Sequence, residues 1–248
     1  MVPNAPSRAL VIVPTYNEVE NLASLVEAVL AQPADLSLLV VDDNSPDGTG
    51  TLADELARAH SDRLSVLHRQ IKNGIGPAYV AGFRQSLQGD ADMIVTMDAD
   101  LSHDPNDLPR MLQAAASADV VIGSRYVDGG STVGWPLHRR LISKCGGTYA
   151  RFVLGVPVHD LTSGYKVYRR DVIEQFDFDH IRSDGYGFQI ETVFRAIKHG
   201  FRVVEIPIEF HDRTRGKSKL SRRIVLEAAP MVWKLRFERF PQRAESGE

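Results

Sequence analysis

The segment Met93-Ile94-Val95-Thr96-Met97-Asp98-Ala99-Asp100-Leu101-Ser102 turns from apolar to acidic within one step. Its first five residues are apolar or β-branched, too few for a helix, and read as a buried strand. In open α/β sheets ligands bind outside the carboxyl ends of the strands, so Asp98 and Asp100 fall where a ligand is expected. Carboxylate oxygens suit hard cations such as Mg²⁺ or Mn²⁺, which are commonly shared with substrate phosphates. The same two aspartates can instead solvate a turn or cap the helix near Pro105, and Asp-x-Asp alone does not separate these readings.

Outward from this strand the pattern repeats. Ala9 to Val13, ended by Pro14, is a first buried strand, and Leu22, Leu25, Val26, Val29 and Leu30 follow at helical spacing. Leu38 to Val41 is a second strand, running into the turn Asp42 to Gly48; Thr51 to His60 is a helix and Leu64 to Leu67 a third strand. Helices are expected over Ala78–Leu87 and about Asp107–Ala116, with a fifth strand at Val120–Gly123. Strands alternating with helices at short spacing imply βαβ units, an α/β class and a mostly parallel sheet.

Three polar clusters then follow strands: Thr15 to Glu18, Asp42 to Asp47 and Asp98 to Ser102. All should converge at one sheet edge. Glu18 and Asp43 can accept hydrogen bonds from ribose hydroxyls and base N–H groups, and Tyr16 can stack on a base. Asn17 and Asp47 have the chemistry of caps, Asp47 with Thr49 at the start of the second helix. Gly74-Ile75-Gly76 begins like a dinucleotide fingerprint, but Tyr79 fills its last position and no glycine turn follows the first strand. A nicotinamide enzyme is disfavoured, as is an ATPase, since no G-x-x-x-x-G-K-[ST] occurs. The glycine loop either shapes backbone close to a substrate or is a turn.

Beyond Ser124 cations accumulate. Arg125 ends the fifth strand, and residues 137–154 read as a helix bearing Arg139, Arg140, Lys144 and Arg151. Arg139 and Ser143 are four apart and share a face, which can hold a phosphate or be a solvated basic face. Asp160 to Lys166 is rich in hydrogen-bonding groups ahead of a short strand, Val167-Tyr168. In the helix from Gly185 to His199, Gln189 and Glu191 are two apart, so at most one lines a site. Phe201 to Ile208 returns as a strand. From Arg213 to Arg243 there are ten Lys+Arg against Glu227 and Glu238. Arg213 to Lys219 reads as a basic loop able to close on a pyrophosphate. Ile224 to Phe240, with Trp233, Phe237 and Phe240, reads as a basic helix kinked or divided by Pro230; it either lies on a membrane surface or packs on the sheet.

The 248 residues are 43% hydrophobic with net charge −3, enough for a real core and without the basic field that nucleic acid calls for. The single cysteine, Cys145, excludes an intrachain disulfide, suits a reducing compartment, and is expected as a small packed residue rather than a nucleophile. No apolar run approaches the ~18 residues a membrane span needs, and Met1 to Arg8 lacks the pattern of a signal peptide.

Six segments in order resemble the family-2 glycosyltransferases, specifically the dolichol/polyprenol-phosphate mannosyltransferases: Val13 to Glu18, Val41 to Thr49, Met97 to His103, Gly123 to Tyr126, Leu161 to Lys166 and Asp212 to Lys219. The resemblance implies a single GT-A domain over residues 1–220, with a Rossmann-like N-terminal half and helices flanking the sheet, then a basic amphipathic helix and tail over 221–248. It implies transfer of mannose from GDP-mannose to a polyprenyl (dolichyl-type) phosphate, inverting to a β-linked product. Pro14, Tyr16, Glu18, Val41 and Asp43 would hold the guanosine; Asp98 and Ala99 would lie along the ribose and diphosphate. Asp100 would ligate a Mg or Mn ion with Ser102 second, directly or through water; some relatives carry Gln there. Arg125, Arg213 and Lys219 would bind phosphates of donor or acceptor, and Arg139 and Ser143 would meet the acceptor phosphate. The implied place is the cytoplasmic face of a membrane, held peripherally by lipid or by a separate membrane-spanning partner. Two alternatives stay open: a polyprenyl-phosphate glucosyltransferase using UDP-glucose, and a non-catalytic nucleotide-sugar binder, which should have lost Asp100 or the Arg213–Lys219 cluster.

Overall fold

The computed structural model describes residues 8–181, 183–212 and 222–238, with side chains in the last stretch from Pro230 onward. In chain order come β1 (Ala9–Thr15), α1 (Val19–Leu30), β2 (Leu36–Asp42), α2 (Thr49–Ala59), β3 (Leu64–His68), α3 (Ile75–Ser86) and β4 (Met93–Thr96). After a 3₁₀ turn at Pro105–Asp107 follow α4 (Leu108–Ala114), β5 (Val120–Ser124), β6 (Ser131–Val133) and α5 (Leu137–Leu154). The rest is β7 (Lys166–Arg169), α6 (Arg170–Glu174), α7 (Gly185–Lys198), β8 (Val203–Pro207), β9 (Glu209–His211) and α8 (Arg222–Phe237).

Seven strands form one sheet in the order β3-β2-β1-β4-β7-β5-β8. The β3-β2-β1-β4 half is parallel throughout and has the Rossmann strand order. β7 runs antiparallel to both β4 and β5, and β8 is again parallel to β5. The expected short strand at Val167-Tyr168 is therefore a central element. β6 and β9 form a separate two-stranded pair.

Alternation along the strands divides the core in two. Val11, Val13, Leu38, Val40 and Val95 pack with Leu22 and Leu25 of α1 and Met111 of α4 on one face. Ile12, Leu39, Val41 and Ile94 pack with Tyr79 and Phe83 of α3 and Phe188 of α7 on the other. Both faces are covered, so the parallel strands β1 and β4 read as continuous apolar or β-branched runs.

Three expectations need correction. β1 does not stop at Pro14 but continues to Thr15. Ile12 faces β4, receiving Met97 N–H at 3.2 Å, and so does Pro14 two residues on; β4 has ended by then, and the missing proline N–H leaves no ladder bond unmade. α8 runs through Pro230 without division. The strand expected over Phe201 to Ile208 is present as β8 (Val203–Pro207); beyond it the chain switches to β9, which pairs with β6. Cys145 is exposed, because it lies on the outer face of α5.

Candidate functional site

The three polar strand ends do converge. A cavity of about 430 Å³ opens at the carboxyl ends of β1 and β4, and Pro14, Tyr16, Glu18, Asp43, Asp98, Ala99, Asp100 and Ser102 all line it. Each of the three turns holds a residue in the left-handed region: Asn17 (φ 60°), Asn44 (φ 56°) and Leu101 (φ 60°). Asparagine adopts this conformation readily; leucine does so at a cost of about 1–2 kcal/mol. The strain falls between Asp100 and Ser102, where it bends the chain so that Asp100 Oδ1 accepts Ser102 N–H at 3.1 Å. Ser102 Oγ is buried and has no hydrogen-bond partner among the described residues.

At the β1 and β2 ends, Asp43 is paired with Arg69 at 2.6 Å; burial raises its pKa against the pull of that guanidinium. Lys72 sits 3.4 Å over the Tyr16 ring, on a face that the sequence reading reserved for a base. Asp47 caps as expected, accepting from Thr49 N–H and Oγ1–H and also from Val19 N–H, so that one carboxylate pins the starts of α1 and α2. Burial pushes its pKa up, but the Thr49 and Val19 bonds outweigh this and lower it. Glu18 occupies the cap position of α1 without a side-chain bond to the helix backbone; its carboxylate accepts from Asn21 Nδ2 at 2.8 Å, and the residue lines the cavity.

Asp98 lies on a wall built by residues the sequence did not single out. Its N–H donates to His103 Nδ1 at 3.2 Å, which leaves the proton of that imidazole on Nε2, 4.0 Å from the Asp98 carboxylate. Burial holds the His103 pKa below the usual histidine value against the charges of Asp98 and Asp100, so the ring is neutral; it stacks on Tyr165 at 4.9 Å. Gly164 permits this closeness: a Cβ there would stand 3.2 Å from Asp98 Oδ1.

The opposite wall is cationic. Arg125 reaches Asp160 with Nε (2.8 Å) and Nη2 (2.7 Å), and its own N–H bonds the same carboxylate at 3.0 Å. Nη2 also meets Thr162 Oγ1 at 2.8 Å. Both partners are buried; burial opposes both charges, yet each holds the other ionised, Asp160 below and Arg125 above its ordinary range. Among the described residues, Nη1 is the donor left over. Arg139 lies 4.1 Å over the Trp135 indole and bonds Asp212 at 2.8 Å. Phe210 of β9 closes against Trp135 edge-on at 5.3 Å, which is why the small β6–β9 pair matters to the site.

Asp184 closes the cavity between α3 and α7. Its Oδ1 accepts Gly76 N–H at 2.8 Å, and a Cβ at Gly74 (φ +114°) would overlap its carboxylate. The glycine loop thus serves a close approach of two backbones at the cavity wall.

Not every expected residue is there. Val41 is absent from the lining; its side chain is in the core, facing α3. Ser143 is likewise absent from the lining and accepts from the Tyr126 hydroxyl at 2.7 Å. Neither Gln189 nor Glu191 lines the cavity: Gln189 accepts from the buried Lys166 Nζ at 2.6 Å, and Glu191 pairs with Arg195. Arg213 and Lys219 lie outside the described residues.

Residues 10–176 match glycosyl transferase family 2. A polyprenol monophosphomannose synthase of Mycolicibacterium smegmatis is 52% identical over 222 residues, 89% of this chain and 84% of that protein. An undecaprenyl-phosphate mannosyltransferase of Micrococcus luteus is 49% identical, over 91% of this chain and 92% of its own. Among solved structures, a glucosyl-3-phosphoglycerate synthase from Mycobacterium tuberculosis superimposes with a TM-score of 0.67 at 16% identity, over 97% of this chain and 82% of that one. A mannosyltransferase from Pyrobaculum calidifontis, solved with GDP-Man and Mn²⁺, gives 0.58 at 17% identity, over 94% and 74%. The structural likenesses establish the fold; with about half its residues shared with two curated relatives, the chain belongs to glycosyl transferase family 2 and is a glycosyltransferase of the GT-A fold.

Proposed function

We propose that the chain transfers mannose from GDP-mannose to a polyprenyl phosphate, with inversion at the anomeric carbon. The observation that carries this reading is one cavity with carboxylates, Asp98 and Asp100, on one wall and Arg125 and Arg139 on the other. Both relatives at about 50% identity are named for mannose and a polyprenyl phosphate.

A divalent cation, Mg²⁺ or Mn²⁺, fits this site. Asp100 and the unpartnered Ser102 hydroxyl supply hard oxygen donors side by side. No cluster of three or more metal-binding side chains occurs among the described residues, which suits an ion bound by one carboxylate and by the substrate's own phosphates. When bound, the ion neutralises charge on the departing diphosphate.

The protein's own work is positioning. A phosphomonoester has its second pKa near ~6, so the acceptor oxygen is already ionised at neutral pH and needs no strong base. His103, neutral and engaged at Nδ1, is held as part of the wall. The task is to bring two anions together. Arg139, stacked on Trp135, and Arg125, locked by Asp160, present fixed cations that need no reorganisation when substrate arrives. In this reading Arg213 and Lys219 complete the phosphate contacts when the basic loop closes.

The membrane contact is part of the same proposal. α5 exposes Leu137, Leu141 and Phe152, and α8 exposes Trp233 and Phe237. Arg140, Lys144, Lys234 and Arg236 are exposed beside them, and α5 has no acidic residue. No helix among the described residues is long and apolar enough to cross a membrane. An apolar stripe flanked by cations suits peripheral binding to an anionic surface, here the cytoplasmic face of a membrane; a separate membrane-spanning partner would use the same face.

Labelled-sugar transfer to farnesyl phosphate, with GDP-mannose and UDP-glucose in separate arms, tests the reaction. Mannose transfer from GDP-mannose alone is expected; transfer only from UDP-glucose would overturn the donor assignment.

A further inference from the structure

Tyr186 lines the cavity, and the sequence reading placed it only at the start of a helix, with no role. It is the second residue of α7, between Gly185 (φ +54°) and Gly187, whose missing side chain lets the helix start pack against Met231 of α8. Tyr186 is half-buried at the cavity, and its hydroxyl makes no hydrogen bond to any described residue, which leaves it available to a ligand. The charges that act on it come from both walls: Arg125 and Arg139 from the cationic side, Asp98 from the acidic side. Burial raises its pKa, and the two arginines offset this only in part. The phenol keeps its proton at neutral pH, and against an oxyanion it can only donate.

We propose that the Tyr186 hydroxyl is a substrate-contacting donor that hydrogen-bonds a phosphate oxygen held between Arg125 and Arg139. The assignment rests on the reading of this cavity as the phosphate-transfer site. Arg125 has its Nε and Nη2 engaged by Asp160 and Thr162, and Arg139 has one Nη on Asp212. Neither arginine can therefore wrap the phosphate with its full fork of donors. A neutral donor from α7 fills the third side without adding charge, and it orients the oxyanion where two cations alone would leave it free to rotate.

Two phosphates can occupy this position: that of the lipid acceptor and the diphosphate of the donor. Full-length wild type and Tyr186→Phe are titrated separately with farnesyl phosphate and with GDP by isothermal calorimetry, and thermal unfolding is recorded for both proteins. The expected result is binding weakened ten-fold or more for one ligand, the usual scale for losing a hydrogen bond to a charged group. The other ligand and the unfolding midpoint should be unaffected. Loss confined to farnesyl phosphate assigns the phenol to the acceptor, with a matching rise in KM for that substrate; loss confined to GDP assigns it to the donor. Unchanged binding of both, or an equal loss of both with a lowered midpoint, overturns the proposal. Wild type that binds neither ligand overturns the phosphate-transfer reading as well.

Discussion

Asp160→Asn is the sharpest test of how this site is built. The substitution is nearly isosteric, keeps an acceptor for the Arg125 bonds, and removes one charge from a pair that is shut off from water on both sides. Asp160 receives three bonds from Arg125, and its own N–H is held by Glu205 Oε1 at 2.8 Å, so the loop cannot swing out to hydrate the stranded guanidinium. Removing one partner of such a buried pair costs about 3–5 kcal/mol. For 248 residues, at about 2.1 cal/mol/K of unfolding entropy per residue, this is a fall in Tm of roughly 6–10 °C. The pH dependence follows from the direction of the shift. Asp160 titrates below its ordinary value, so its stabilisation is complete above the unfolded carboxylate range and is lost only as pH falls through the folded pKa. The deficit of the variant should thus be constant from pH 5 to 8 and shrink in acid. Calorimetry across that range measures it. The paired variant Arg125→Met/Asp160→Leu should regain most of the Tm and remain without transfer activity, which separates stability from chemistry. A Tm for Asp160→Asn within about 2 °C of wild type would refute the argument, because a hydrated or flexible pair would then be the correct description.

Gly74→Ala should lower the urea midpoint by the equivalent of about 2 kcal/mol or more, since its backbone lies at φ +114° and the new Cβ would meet Asp184; Gly89→Ala, with its nearest neighbour at 3.7 Å, should be near neutral, and equal midpoints for the two would refute the close-approach reading. Burial pushes Lys166 down to about 7, so the folded state binds fewer protons than the unfolded chain between that pH and the free lysine value. Wild-type stability should therefore rise from pH 7 to 9.5, and Lys166→Met should flatten the rise; parallel curves would mean that the ammonium is not desolvated. Phe152→Asp, at a position 86% exposed, should reduce flotation of the pure protein with anionic vesicles and leave circular dichroism unchanged; undiminished flotation would take α5 off the membrane face.

Much of the sheet was legible because parallel strands covered on both faces are continuous apolar runs, and Leu36–Asp42 could hardly be anything else. Their polar ends were legible for the same reason, since Asp98 and Asp100 interrupt such a run. Strand order was not: nothing local in Lys166–Arg169 says that it inserts between β4 and β5. On α7 the helix-face argument rightly kept Gln189 and Glu191 from both lining the site but could not say that neither does: a lysine of the sheet and an arginine of the same helix engage them, and a helix buried from Gly187 to Ala196 has no solvent face to reason from. Val41 faces the core because strand alternation sets its side chain there, one residue before Asp42. Trp135, Phe210 and Tyr186 carried no motif or period, and only the β6–β9 pairing and the start of α7 bring them to the cavity; His103 closed a motif, but nothing in the sequence said that its ring would bond back to Asp98. Asp160 was in view within a polar segment, but its role depends on Arg125, 35 residues earlier.

The two faces of α5 join the chemistry to the proposed membrane contact. Arg139 lines the cavity and Ser143 is buried behind it, while Leu137, Leu141 and Phe152 on the opposite side of the same helix are exposed. A helix with its side chains is about 10–12 Å across. A lipid whose chain lies along the exposed stripe therefore needs to bring only its phosphate around one helix to reach Arg139, and the isoprenoid tail need never enter the protein. The cavity suits this division, since about 430 Å³ is within the range of small-ligand sites and too small to enclose a long polyprenyl chain as well. α8 reinforces the arrangement: its buried Val232 and Leu235 belong to the core, and Arg236 donates to the Leu154 carbonyl at the end of α5. The helix that carries Trp233 and Phe237 is thus tied to the one that carries Arg139, and on this reading membrane contact and phosphate positioning share one rigid pair of helices.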